Sequence, residues 1–196
     1  TVALKEYTCG AGEVKKVVLS DGTKVWLNNM SVLMTVEPFE KDCRRVKLIG
    51  EAYFDVRHNA EKPFVVETFG LKTEVLGTSF NLKAYPDLKH KEIILYEGSV
   101  KISPDNNSRK SFLLKPGEKV RVSDDDTKFY VSKINSNDPA IWRAGILEFR
   151  NEEFFEIARK LERKFNTRIF IASQKTGKMR FTAEFTDEGV IISSVK

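Results

Sequence analysis

Two histidines, two cysteines and a run of three aspartates are the side chains of this chain best suited to metal or nucleophile chemistry. His58 and His90 lie 32 residues apart. A histidine metal site needs a short-range pair or further ligands close by, so each reads as a surface histidine. Asp124-Asp125-Asp126 has the charge for calcium but neither the spaced oxygens nor the glycine in register of a calcium loop. It reads as a solvated turn. Cys9 and Cys43 have no catalytic signature around them. They are compatible with a bond in an oxidising compartment, if an N-terminal strand lies across its neighbour, or with two unpaired thiols. No serine sits in a nucleophile elbow. The glycines are single rather than clustered ahead of a helix, as a phosphate loop would require. Glycosidase carboxylates meet only in space, so the sequence leaves them open. Nearly every acid, however, sits beside a Lys or Arg on an alternating strand and reads as outward-facing charge. Trp26 and Trp142 invite sugar stacking. Trp26, between Val25 and Leu27, reads as packing at a strand edge, and Trp142 as a plug between two parts of the chain. Asn29-Met30-Ser31 and Asn106-Asn107-Ser108 match a short glycosylation pattern to which no function is attached.

The elements that would position such residues are mostly strands. A glycine followed by a short alternating strand returns at Gly22, Gly50, Gly77, Gly98 and Gly117, with spacings of 28, 27, 21 and 19 residues. Glycine suits a corner, and alternation turns one face inward. Asp21-Gly22 is a strong hairpin or corner signal. Strands are expected at 14–19, 33–36, 45–49, 52–57, 64–67, 71–76, 79–85, 92–96, 99–103, 112–114, 119–123 and 128–133. The degenerate repeat predicts a solenoid-like or sandwich-like β body over residues 1–133.

Residues 134–139, Ile-Asn-Ser-Asn-Asp-Pro, read as a linker. Beyond it, 140–196 reads as a partial β-α-β-β module. A strand is expected at 146–149, followed by a helix with Asn151 as N-cap. Phe154, Ile157, Ala158, Leu161 and Phe165 fall on one face, and Asn166 closes the helix. Strands at 167–171 and 179–185 follow, with a turn at Lys175-Thr176-Gly177. Residues 187–192 are expected to open a second helix that Lys196 cuts short.

Composition narrows the function. At 196 residues, with 41% apolar and 31% charged residues, the chain can bury a core without disulfide staples. The net charge of +5 is not concentrated: residues 1–142 carry 22 basic and 20 acidic groups, and 143–196 carry 11 and 8. Nucleic-acid binding requires a concentrated basic face, so that class is set aside. No apolar run is long enough to span a bilayer, and the residues from Thr1 onward do not read as a signal peptide. No cofactor is implied.

Leu19-Ser20-Asp21-Gly22-Thr23-Lys24-Val25-Trp26-Leu27-Asn28 resembles the L-x-D-G-T-x-V-x-L-N opening of the FecR family of anti-sigma regulators. Gly50-Glu51-Ala52-Tyr53-Phe54-Asp55-Val56 resembles its G-E-A-Y-F-x-V. Lys62-Pro63-Phe64-Val65-Val66, Val75 through Asn81, Glu97-Gly98-Ser99-Val100 and Leu114 through Glu118 follow in the family's order. The resemblance covers roughly residues 14–123. From Trp142 onward the chain is similar to the family's Bacteroidetes-type branch, whose C-terminal module is like the short N-terminal domain of secretins and TonB-dependent receptors.

The resemblance implies the periplasmic part of a membrane-anchored regulator without catalysis. Such a protein docks the signalling domain of a TonB-dependent outer-membrane transporter. Through a cytoplasmic segment outside this chain it holds an extracytoplasmic-function sigma factor, and one inner-membrane helix upstream joins the two. In some members a periplasmic protease carries the release step. Physically, a sheet with an open flank can accept a partner strand. The expected edges are Arg168, Ile169, Phe170 and Ile171, and Arg180, Phe181, Thr182 and Glu184, with the arginines favouring an acidic partner. A carbohydrate-binding or carbohydrate-processing β-helix protein, recognisable by sugar contacts at Trp26 or Tyr53, and a structural envelope scaffold are the alternatives.

Overall fold

The computed structural model describes residues 3–105, 111–123, 128–134, 140–186 and 189–195, the last stretch by its backbone. Asp124-Asp125-Asp126, the 106–108 pattern, Asp187-Glu188 and all of the expected linker but Ile134 lie outside the described residues. The first half of the body contains β1 (Ala3–Cys9), β2 (Lys15–Val18), β3 (Lys24–Leu27), β4 (Ser31–Glu37), β5 (Arg44–Asp55) and β6 (Phe64–Thr68). Its second half contains β7 (Leu71–Val75), β8 (Ser79–Ala84), β9 (His90–Glu97), β10 (Val100–Pro104), β11 (Phe112–Leu114), β12 (Glu118–Ser123) and β13 (Phe129–Lys133).

Alternation builds these strands as expected. In β4 the side chains of Ser31, Leu33, Thr35 and Glu37 are buried while those between them are half-buried. The strands form two sheets that share β5. One runs β1-β4-β5-β6-β7-β10-β11 and the other β2-β3-β5-β8-β9-β12-β13. All body pairings are antiparallel except β5 with β6. The result is the sandwich-like form, nearly closed along the shared strand.

Gly50 makes the sharing possible. Its expected corner is instead a bend inside one 12-residue strand. Residues Arg44 to Lys47 of β5 pair with β6, and Gly50 to Asp55 pair with β8. At Gly50 φ is +103°, and a Cβ would lie 2.9 Å from Ser31 Cα. An L-residue there would be strained and would clash with backbone. The Glu51 N–H donates to Ser31 Oγ at 2.9 Å beside the bend. Between the sheets lies one apolar core, in which Phe54 stacks on Phe80 at 4.9 Å and meets Phe64 edge-on at 6.1 Å.

One cation is buried where β5 begins. Arg44 is 2% exposed. It donates from Nε to Lys62 O at 2.8 Å, from Nη1 to Asp21 Oδ2 at 2.9 Å and Arg57 O at 2.7 Å, and from Nη2 to Leu76 O at 3.2 Å. Asp21 also accepts from Thr23 N–H and Oγ1–H. The Asp-Gly-Thr corner is thus tied to three other segments through one guanidinium, whose planar fork serves several acceptors at once.

The C-terminal module has its own small core of Phe149, Ile157 and Ala183, flanked by Phe154, Leu161, Phe181 and Phe185. A 3-10 turn (Ile141–Ala144) ends at Gly145, and then come β14 (Leu147–Glu153), α1 (Phe154–Phe165), α2 (Gln174–Gly177), β15 (Arg180–Thr186) and β16 (Gly189–Val195). The sheet order is β14-β15-β16, antiparallel throughout.

Several expectations are corrected here. Asn151 is not the N-cap. It sits at φ +50° in an irregularity of β14 where the register shifts, and α1 begins after Glu153. Asn166 closes α1 in the left-handed conformation, as expected. Residues 167–171 form no strand. The Ile169 N–H is taken by Glu162 Oε1 at 2.7 Å, which holds that segment against the helix instead of a sheet. The expected helix at 187–192 is, from Gly189 on, strand β16. Val190, Ile191 and Ile192 are β-branched and favour that outcome.

Candidate functional site

The outer face of the second sheet would be wet if the body stood alone. Along β8 the alternation places Asn81 and Lys83 on that face, with Tyr85 just beyond the strand end. Lys83 lies opposite Glu51 of β5 on one side and opposite Glu92 of β9 on the other. The module covers this face, so Asn81, Lys83, Glu51 and Glu92 are all buried.

Three contacts seat the module. Trp142 is buried and its Nε1–H donates to Asn81 Oδ1 at 3.3 Å, so it does plug the junction. The Arg143 guanidinium lies 3.8 Å over Tyr53 and 5.6 Å from Trp26, which also carries Lys16 at 4.9 Å. Trp26 therefore serves as a cation-stacking partner rather than an open platform for sugar. At the end of α1, Arg163 lies 3.8 Å over Tyr85 and donates to both oxygens of Asp87 at 3.1 and 2.9 Å. The backbone takes part as well. Gly12 N–H donates to Arg163 O at 3.1 Å, and a Cβ at Gly12 would lie 2.9 Å from Lys164 O.

Covering charged groups shifts their proton equilibria. Burial pushes the Glu92 carboxyl up, but Lys83, Arg121 and Lys119 pull harder and bring it down to about 2. Arg121 Nε donates to Glu92 at 2.7 Å. Burial likewise opposes the ionised forms of Glu152 and Lys160, whose contact at 2.7 Å wins, lowering the acid and raising the amine. Burial lowers His90 despite Glu156 at 3.7 Å. Two expectations are corrected by this cover. His90 is largely buried beneath α1 while His58 stays exposed, and the acids Glu51 and Glu92 face the junction, not solvent.

Between the two parts lies a cavity of about 380 Å³ walled by β5, β8, β9 and β12 on one side and by β14 and α1 on the other. Its polar walls are mostly paired acids and bases. Among the described residues no group of three or more His, Cys, Asp or Glu side chains could hold a metal. Cys9 and Cys43 are both free thiols. Cys9 is buried and bonded to Glu13 O at 3.2 Å and Leu27 O at 3.5 Å.

The expected partner edges do not survive as edges. Arg168 to Ile171 lie outside any strand, and Phe170 is 94% exposed. Arg180, Phe181, Thr182 and Glu184 lie on β15, the central strand, whose backbone pairs on both sides. Arg180 is engaged by Asn151 O and Glu153, both at 2.9 Å. Among the described residues, the flanks of this sheet left unpaired are the outer edges of β14 and β16. The buried ion cluster was missed because its cause, cover by a distant helix, leaves no local pattern. The only sequence signal was Lys and Glu at alternate places on neighbouring strands.

Comparison with known proteins gives a consistent result. The profile of the family described as FecR protein matches residues 5–101, and that described as FecR, C-terminal matches residues 146–191. No curated protein matches. Two crystal structures of candidate anti-sigma factors from Parabacteroides distasonis are similar. One, at 29% identity and a TM-score of 0.85, is matched over 92% of this chain and 84% of that chain. The other, at 25% identity and a TM-score of 0.77, is matched over 99% and 100%.

Proposed function

The chain belongs to the FecR family of anti-sigma factors, and on that premise we propose that it is the periplasmic part of a membrane-anchored regulator. It docks the signalling domain of a TonB-dependent outer-membrane transporter and relays that contact to an extracytoplasmic-function sigma factor. Its work is regulatory binding rather than catalysis. The sigma factor is held by a segment outside this chain, and the inner-membrane anchor lies upstream of it. Among the described residues no helix is long and apolar enough to cross a membrane.

The observation that carries this reading is the surface of the C-terminal module. Phe170 is 94% exposed and Phe165 60%, with Phe155 and Met179 also exposed. Exposed aromatic groups on a small module with open strand flanks suit a partner that contributes both side chains and backbone. Arg168 is exposed beside them and favours an acidic partner. Of the expected contact residues, 168–171 therefore remain in the proposed surface as a loop. Residues 180–184 support it from within the sheet.

The test is a sigma-dependent reporter in cells carrying the full regulator. Phe170→Asp should abolish transporter-dependent induction while leaving the protein's amount unchanged. Full induction with Phe170→Asp would remove the module surface from the relay.

A further inference from the structure

The cavity at the junction has a chemistry that neither part of the molecule uses for itself. Seven cationic and four acidic side chains contribute to its walls. Most are paired: Glu92 with Arg121 and Lys119, Glu152 with Lys160, and Glu148 with Arg150. Lys83 has no such close contact: it is 5% exposed, lines the cavity and makes no hydrogen bond or close ion pair with any described residue, its charge acting on Glu92 and Glu152 from farther off. Its cross-strand neighbours have other obligations. Glu51 accepts from Asn28 and Asn81, both at 2.9 Å, and Glu92 accepts from Arg121. An ammonium so nearly enclosed has little water to donate to, so an acceptor inside the cavity would be favoured.

Two wall groups are orphaned outright. Arg163 Nη2 and Glu152 Oε2 are buried without a hydrogen-bond partner. The cavity therefore presents two cationic donors and one anionic acceptor, beside the apolar surfaces of Trp142, Ile94 and Leu147. At about 380 Å³ it lies at the small end of ligand sites.

We propose that this cavity binds a small hydroxylated carboxylate of the sugar-acid class, bridging body and module. Its carboxylate accepts from Lys83 Nζ and Arg163 Nη2, and a hydroxyl donates to Glu152 Oε2. A neutral sugar lacks the negative charge that Lys83 and Arg163 together favour, and an amino sugar places a further cation beside them. Inorganic phosphate meets the cations but offers no apolar face to Trp142. Because Lys83 belongs to the body and Glu152 and Arg163 to the module, occupancy ties the two together. The site is separate from the exposed surface proposed for docking, so either can fail without the other.

The two tryptophans provide the readout, since Trp142 lines the cavity and Trp26 does not. The probe is glucuronate, titrated into the whole 196-residue chain and followed by the two indole N–H signals in ¹H–¹⁵N spectra. A saturable shift of Trp142, with Trp26 unmoved and no shift on adding glucose, is the expected result. Lys83→Met should weaken the binding about tenfold or more, as loss of one charged hydrogen bond implies. Absence of a saturable Trp142 shift up to about 10 mM glucuronate, a range beyond weak specific binding, would overturn the proposal. Equal shifts with glucose or phosphate would do the same, as would unchanged affinity in a folded Lys83→Met protein. If that variant does not fold, the wild-type titrations alone decide.

Discussion

Arg163 should fasten the module to the body, and the size of its contribution follows from three contacts. It donates to both oxygens of Asp87, but Asp87 has a side chain 44% exposed, so solvent screening limits that ion pair to about 0.5 kcal/mol. The guanidinium face on Tyr85 at 3.8 Å is better shielded, since Tyr85 is 6% exposed, and adds about 1 kcal/mol. Arg163→Ala should therefore cost about 1.5 kcal/mol, a fall in Tm of roughly 3–6 °C for a chain of this size. Single variants mix this effect with others, because the Tyr85 hydroxyl also donates to Asn29 O at 2.8 Å. The clean measurement is a double-mutant cycle of Arg163→Ala with Tyr85→Leu, read by urea unfolding. A coupling of about 1 kcal/mol is expected for a desolvated cation–π pair. A coupling under about 0.2 kcal/mol, within the additivity error of separate sites, would refute the claim that α1 is seated on the second sheet.

Further outcomes follow from other contacts. Arg44→Met strands the Asp21 carboxylate and three carbonyl oxygens, so it should cost about 4 kcal/mol in urea unfolding; a loss under about 1 kcal/mol, the value of a surface pair, would contradict the staple. Gly12→Ala, at φ +73° and 2.9 Å from Lys164 O, should loosen the module and raise amide exchange in α1 while that of β5 is unchanged; unchanged α1 exchange would count against that contact. Acid should weaken the fold in two steps. The folded Glu92 pKa lies below its unfolded value, so its contribution is full above about pH 4.5 and is lost as pH falls towards about 2. His90 is also lowered, so its share is full above about pH 6.5 and declines on acidification below that. Urea midpoints that stay flat from pH 7.5 to 3 would refute both.

The body was legible in the sequence because its strands state their own pattern. Alternation around Val25, Leu27, Phe54 and Phe80 marks faces that are indeed buried. What the pattern could not state was which strands lie side by side. Gly50 looked like every other glycine corner, yet the strand continues through it, bending into a second sheet, and only the partner Ser31 reveals that bend. In the module, Phe154, Ile157, Ala158 and Leu161 set the helix correctly. Thr167 to Ile171 misled because β-branched and aromatic residues suit a strand only where a neighbour offers hydrogen bonds. Here Glu162 captures the Ile169 N–H instead. The junction cluster was invisible for a different reason. Lys83, Glu92 and Arg121 read as ordinary outward charge until a helix more than 30 residues away from any of them covers them.

The most direct measurement of the proposed relay is calorimetric titration of this chain with the isolated signalling domains of the TonB-dependent transporters of its own organism, one at a time. One-to-one binding with a Kd in the micromolar range or tighter is predicted, lost in Phe170→Asp and retained in Trp26→Leu. No heat of binding at protein concentrations of about 100 μM, well above that Kd, would contradict the account, as would binding indifferent to Phe170.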